Sequence, residues 1–249
     1  MSKSKEILSL RFKTDGLTEA GIDEAGRGCF WGPIVAGALI WPDESEWTED
    51  HRKLMPDIRD SKKIAIKKRE RIYEDIKRLA KSWGVGIVSA QDIDEKGISW
   101  ANQEAFRRAI NAMSIKPDRI LVDGTLRISD YSGEQHTIVD GDATYISIAG
   151  ASILAKVTHD HWIQEYCKEN PECKERYGLE SGHGYGTAKH REGLRTYGAH
   201  ELHRRTFVYN WVPESEKEPV VRKTQVIQKG YSQKQKAEEK CLIQLPSLS

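Results

Sequence analysis

The chain has 249 residues, 38% hydrophobic and 31% charged, with a net charge of +1. That supplies a core for one large domain or two modest ones, while no apolar run is long enough to span a bilayer. The near-neutral balance gives no bulk attraction for polyanions, and four scattered cysteines without a Cys-x-x-Cys pair exclude a zinc ribbon and a disulfide framework.

In chain order, residues 21–22 and 34–41 read as strands separated by a Gly26-Arg27-Gly28 turn, the second nearly all apolar as in a buried central strand. Between Arg52 and Arg78 there are 11 Lys/Arg and 5 Asp/Glu, a local basic excess. Ile64, Ile72, Ile76, Leu79 and Ala80 recur at helical spacing, predicting a helix over 64–83 stopped by Gly84. A short strand is expected over 85–89. A helix over 99–113 carries a small-residue face of Ala101, Ala105, Ala109 and Ala112, closed by Pro117. Strands at 119–122 and 135–139 end in Asp123-Gly124 and Asp140-Gly141-Asp142. A helix follows over 146–166, then a polar, Gly- and His-rich stretch with one helix over 187–197. From Pro213 the chain is rich in Glu, Lys and Gln and reads as a mobile tail. Strands with helices between and after them point to an α/β sheet. The first residues lack the apolar core of a signal peptide. The expectation is a cytoplasmic monomer with no membrane contact and a buried Cys29 thiol.

The chemistry centres on Gly21–Gly28, reading Gly-Ile-Asp-Glu-Ala-Gly-Arg-Gly. Asp23 and Glu24 are hard oxygen donors of the kind Mg²⁺ or Mn²⁺ takes. The glycines let backbone N–H groups approach a ligand, and Arg27 can fork onto a phosphate. Neighbours on a strand point to opposite faces, so the two acids share a site only where the strand ends, bends or bulges. Asp123 and Asp142 also stand at or just beyond strand ends, where ligands of open α/β sheets gather; Asp140 competes for the role of Asp142. Four acids driven together raise one another's pKa unless cations neutralise them. Two divalent ions about 3.5–4 Å apart would do so, and are a common clamp for in-line attack on phosphate.

With these pieces the chain resembles the ribonuclease HII family of bacterial type 2 ribonucleases H. The resemblance rests on Gly21–Gly28, Gly32-Pro33, Asp60-Ser61-Lys62-Lys63, Leu121-Val122-Asp123-Gly124, Gly141-Asp142, the run 147–160, Gly184-Tyr185-Gly186-Thr187 and His203-Arg204-Arg205-Thr206-Phe207. They come in the family's order and cover roughly 18–212. The resemblance implies an α/β, ribonuclease H-like mixed five-stranded sheet flanked by helices, with a helical C-terminal part. It divides the chain into a lead segment (1–17), a catalytic domain (18–212) and a polar tail (213–249). It implies an endonuclease that hydrolyses the RNA strand of RNA/DNA hybrids and cuts 5′ of single ribonucleotides in duplex DNA, as in ribonucleotide removal and RNA primer removal. The products would carry 3′-hydroxyl and 5′-phosphate ends.

Carried over, Asp23, Glu24, Asp123 and Asp142 would be the catalytic acids, holding Mg²⁺ or Mn²⁺. Gly26, Arg27 and Gly28 would read the ribonucleotide 2′-hydroxyl, which separates RNA from DNA. Tyr185 would pack on the next sugar at the RNA–DNA junction. Ser61 and Lys62 lie at an expected helix start, where phosphate binds readily. Lys156 is placed to contact a phosphate or pair with an acid, Asp160 to stand behind the acids or on the surface, and His183 to move a proton or stay in a solvated loop. His159 and His161 are two apart and share no helix face, against a histidine metal site.

The chain departs from the family at Gly97, where asparagine is usual, and at Cys29-Phe30-Trp31, where smaller residues are common. A ribonuclease HIII-like enzyme is the neighbouring reading, but that type usually carries an extra N-terminal domain, and about twenty residues precede Asp23. A non-catalytic nucleic-acid-binding module has no use for four acids in one cleft.

Overall fold

The structure, a computed structural model, describes residues 8–217. One mixed sheet runs in the order β3-β2-β1-β4-β5, from β1 (Glu19–Ala25), β2 (Ile34–Ile40), β3 (Ser82–Val88), β4 (Arg119–Asp123) and β5 (Glu134–Ile138). β2 is antiparallel to β1 and β3, whereas β4 is parallel to β1 and β5. The C-terminal ends of β1, β4 and β5 therefore share one edge, and the acids sit there. This is the mixed five-stranded sheet with flanking helices that the sequence led us to expect.

The helices are α1 (Glu49–Leu54), α2 (Ile66–Leu79), α3 (Ala90–Lys96), α4 (Ile98–Asn111), α5 (Ile146–Glu169), α6 (Pro171–Tyr177), α7 (Leu179–Gly182), α8 (Ala188–Tyr197) and α9 (Arg205–Val208). Alternate strand residues face different helices. Ala20, Ile22, Ala36, Ala38 and Val122 pack on Ala101, Ala105, Phe106 and Ala109 of α4. On the other face, Leu39 and Trp41 meet Ile72 and Ile76 of α2 and Ala149, Ala151 and Ile153 of α5. Covered on both faces, β2 is buried at all seven positions, as its unbroken apolar run demands. A third cluster of Trp31, Ile163, Tyr177, Leu194 and Val208 gathers α6, α8 and α9 around the far end of α5.

Several boundaries differ from expectation. The helix expected to end at Gly84 stops at Leu79, and Gly84 lies inside β3. It serves close approach: a Cβ on Gly84 or Gly86 would stand 2.1 Å from the carbonyl oxygen of Ala109 or Ala105. The strand glycines and the alanine face of α4 are two halves of one tight contact. β1 does not end at Ile22 but keeps regular pairing with β2 through Asp23, Glu24 and Ala25. The segment Ser61–Lys63 is a short 3₁₀ turn, with α2 starting later at Ile66.

Residues 8–17 lie against the domain: Ser9 bridges Tyr145, and Phe12 donates its backbone N–H to Glu19 at 2.9 Å. Cys29, Cys167 and Cys173 are buried free thiols; Cys241 and the expected tail beyond residue 217 lie outside the described residues. Much of the basic excess is spent in ion pairs: Arg52 with Glu44, Lys53 with Glu49, Lys68 and Arg71 with Asp57, and Arg78 with Asp50 and Asp75. No helix among the described residues is long and apolar enough to cross a membrane.

Candidate active site

Asp23 and Glu24 straddle the end of β1. Asp23 is 6% exposed and turns toward α5, where the Ser152 hydroxyl serves its carboxylate. Glu24 turns the other way, toward Asn102 of α4. Of the strand end, bend or bulge expected here, the structure shows the end: β1 stops at Ala25, with regular pairing up to it. What joins Asp23 and Glu24 is Asp123, at the end of the adjacent parallel strand, whose charge acts on both. Burial pushes Asp23 up to about 8, and the negative charges of Glu24 and Asp123 add to the rise. Glu24 is raised by burial as well, against the pull of Arg27, whose guanidinium lies 3.7 Å away.

Asp142 enters from a 3₁₀ turn after β5. The Gly141 N–H donates to Asp123 Oδ1 at 2.8 Å, tying that turn to β4. Burial raises the Asp142 carboxyl, then the charges of Asp60 and Asp123, while Lys62 and Lys63 oppose the rise. Asp140, the competing acid, is exposed with φ of 54° at the turn. The four acids thus lie along one sheet edge with Asp123 in the middle.

The donor set suits a hard divalent cation: all carboxylate oxygens, with burial and neighbouring negative charge opposing ionisation of Asp23, Glu24 and Asp142. The Asn102 amide, 1% exposed, has neither its nitrogen nor its oxygen hydrogen-bonded among the described residues. Facing Glu24 without a closed hydrogen bond, this buried amide keeps polar capacity that a hydrated ion would satisfy. Among the described residues no three acidic, histidine or cysteine side chains already stand within the span of one ion. With Asp23 and Glu24 on opposite sides of β1, a ligand set drawn from these acids would need side-chain rotation to close.

The Gly26-Arg27-Gly28 turn stands beside the acids. Gly26 has φ of 79°, and a Cβ there would lie 2.4 Å from His159 Nε2, so both conformation and space require glycine. Arg27 and Gly28 are exposed. Arg204, fully buried, braces the loop by donating to the carbonyls of Arg27, Gly32 and Pro33 at 2.9, 3.0 and 2.8 Å. Desolvation lowers its guanidinium to about 10.

Tyr185 is 41% exposed. Lys156 Nζ lies 5.8 Å from its ring centroid. Its hydroxyl end is tucked against Gly26 and Cys29 and pushed up to about 12 by burial. The backbone is held by a directed relay of imidazoles. The His200 N–H donates to His203 Nδ1 at 2.8 Å, so His203 carries its proton on Nε2. That proton points at His190 Nε2, 3.0 Å away, which leaves His190 Nδ1–H to donate to the Tyr185 carbonyl at 3.0 Å. Burial lowers His190 to about 4 and His203 to about 2, keeping both neutral.

The remaining residues sort clearly. Ser61 is buried, its hydroxyl 3.0 Å from that of Ser152, so it stands behind Asp23 rather than toward solvent. Lys62 is exposed and its charge reaches Glu24 and Asp142. Asp160 is buried. Desolvation alone would raise it, but His159 and Lys156 hold it below the usual range, Lys156 Nζ donating at 2.8 Å. His183 is partly covered, with Nδ1 3.5 Å from Asp160. Cys29-Phe30-Trp31 packs beside the Tyr185 loop and away from the four acids. Cys29 lies under Tyr185, Phe30 packs on His190, and Trp31 joins the C-terminal cluster. Gly97, with φ of 87°, joins α3 to α4 in a conformation glycine favours, with open space around it.

Sequence reasoning missed Ser152, Asn102 and the relay of His190 and His203. Ser152 lies inside a matched motif. Asn102 is a polar residue within the alanine stripe of α4, a visible signal that a core helix face was interrupted for a reason.

A family model described as Ribonuclease HII matches residues 20–210. The chain is 44% identical over 189 residues to a Ribonuclease HII of Geobacillus sp. (strain WCH70), covering 76% of this chain and 63% of that one. It is 40% identical over 191 residues to a Ribonuclease HII of Prochlorococcus marinus, covering 77% and 96%. The crystal structure of the ribonuclease H2 from Pyrococcus horikoshii OT3 matches with a TM-score of 0.62 at 30% identity, covering 76% of this chain and 93% of that one.

Proposed function

Because the chain belongs to the ribonuclease HII family, and is thereby an endoribonuclease H acting on RNA in RNA/DNA hybrids, we propose that it also cuts 5′ of single ribonucleotides embedded in duplex DNA. The observation that carries this reading is the sheet edge. Four acids line it around Asp123, and a glycine-bounded arginine turn and a half-exposed tyrosine stand beside them. Asp23, Glu24, Asp123 and Asp142 are the residues that would hold Mg²⁺ or Mn²⁺. Bound there, two such ions would neutralise the acids, ionise the attacking water and stabilise the leaving oxygen.

The chain's own groups supply selection and alignment. Gly26 and Gly28 leave the backbone open to the 2′-hydroxyl of the ribonucleotide, and Arg27 forks onto an adjacent phosphate. Tyr185 presents its ring face to the sugar of the next nucleotide, where a deoxyribose fits. Lys62 faces the phosphates; Ser61 supports Asp23 through Ser152. In-line attack by water leaves a 3′-hydroxyl and a 5′-phosphate. Residues 18–212 form the catalytic unit, which works as a cytoplasmic monomer.

The deciding experiment incubates the protein with a DNA duplex carrying one ribonucleotide, with Mg²⁺ or Mn²⁺, and maps the ends. A single cut 5′ of the ribonucleotide is expected. Cleavage confined to long RNA/DNA hybrids would overturn the single-ribonucleotide reading.

A further inference from the structure

Beyond Tyr185 the chain turns directly into α8, and one face of that helix is unusual. Ala188, Lys189, Arg191, Glu192, Arg195 and Trp211 line an open groove of about 560 Å³. Three cations face one acid there. Arg191 and Arg195 both lie over the Trp211 ring, at 4.6 and 5.1 Å from its centroid. Arg195 also reaches Glu192 at 3.4 Å, whereas Lys189 and Arg191 make no ion pair among the described residues. The basic residues of the segment 52–78, by contrast, are largely paired. Stacking on an indole holds a guanidinium in place while leaving its N–H edges open.

Position adds to charge. Ala188 follows Tyr185 by three residues, so the groove begins within about 11 Å of it. From Ala188 to Arg195 the helix rises about 10 Å, which matches about three phosphates of one strand at 3.4 Å of rise each. Thr187 caps α8 by accepting the His190 N–H, and His190 in turn holds the Tyr185 carbonyl. The groove and the tyrosine are therefore fixed to each other.

We propose that this groove binds the sugar-phosphate backbone of the duplex arm on the 3′ side of the ribonucleotide. The assignment rests on Tyr185 facing the nucleotide that follows the ribonucleotide. Arg191, Arg195 and Lys189 contact phosphates, and the Trp211 edge packs on sugar. The groove adds affinity without reading sequence.

The test compares full-length protein and its Arg191→Glu and Arg195→Glu variants on two single-ribonucleotide duplexes. Their 3′ arms are about 4 and about 12 base pairs, or roughly 14 and 40 Å. Lys168→Glu, an equal charge change on the exposed end of α5, is the control. On the long arm each groove variant is expected to raise KM about fivefold, to leave kcat within about twofold, and to flatten the salt dependence of binding by about one phosphate contact. On the short arm the KM effect is expected to shrink to less than half of that. An equal effect on both arms, an unchanged salt slope, or the same effect from Lys168→Glu would overturn the proposal. If the unmodified protein cuts neither duplex, the single-ribonucleotide reading falls, and the groove with it. If it cuts both and the groove variants match it, the groove proposal alone falls.

Discussion

β1 and β4 run parallel, and their two ends solve the same electrostatic problem in opposite ways. At the starting end, Arg119 pairs across the strands with Glu19. Its guanidinium, 1% exposed, donates to Glu19 at 2.6 Å and to Glu134 at 2.8 Å, and it also pairs with Asp15. Its bond to Glu134 leads in holding that carboxyl down at about 2, and Asp15 is likewise lowered. At the finishing end, Asp23, Glu24, Asp123 and Asp142 have no buried cation among them, and Asp23 rises to about 8. One end is a closed structural lock. The other is an anionic edge that is incomplete without added positive charge. Residue type alone does not separate the acids of the two ends; the presence of an internal counter-charge does.

Four experiments test that contrast. Asp123→Asn should cost the most activity, about 10⁴-fold in kcat or about 5.5 kcal/mol, with duplex binding largely kept and no loss of stability. Single-turnover cleavage and a binding titration check this together; undiminished turnover would remove Asp123 from the site. At the opposite end, Arg119→Met should destabilise by about 3 kcal/mol, because Glu19 is left buried and charged. Urea unfolding measures it, and activity corrected for the folded fraction should stay unchanged.

The pH response should separate the two ends as well. The folded-state pKa of Asp23 lies above its ordinary 3.8. Between about pH 4 and 8 the native state therefore keeps a proton that the unfolded chain has lost, and stability falls as pH rises. Without divalent ions, the melting temperature should drop by about 5 °C across that window. Mg²⁺ or Mn²⁺ should restore more at pH 8 than at pH 5. Glu134 and Asp15, both lowered by Arg119, act in the opposite sense, losing their contribution only on acidification toward the lowered pKa of Glu134. A melting curve that ignores both pH and metal would sink the account of the finishing end. The smallest effect is expected from Tyr185→Ala, about tenfold slower cutting at single-ribonucleotide junctions. An unchanged rate would move junction reading elsewhere.

The strands and the long helices were legible because each carries its own period: the unbroken apolar run of β2 and the 3.6-residue spacing of α2 and α4. Gly84 was misread because a glycine after a helical pattern looks like a stop. Its reason for being there, the backbone of α4, comes from sequence about twenty-five residues away. Asp23 and Glu24 were legible as a pair of acids but not as geometry. Their junction through Asp123 depends on which strand lies beside β1, and no local pattern encodes that. Ser152 and the imidazole relay were invisible for the same reason, since each acts only on a partner brought near by folding.

Local order along the chain determined the elements, the apolar faces and the stock of acids, glycines and aromatic residues, because these follow from side-chain chemistry and short-range periodicity. Only the packed molecule decided which acids were locked by Arg119 and which were left without a buried cation, and which basic side chains stayed open on α8. Charge interactions act through space at a few ångströms, whatever the distance along the chain.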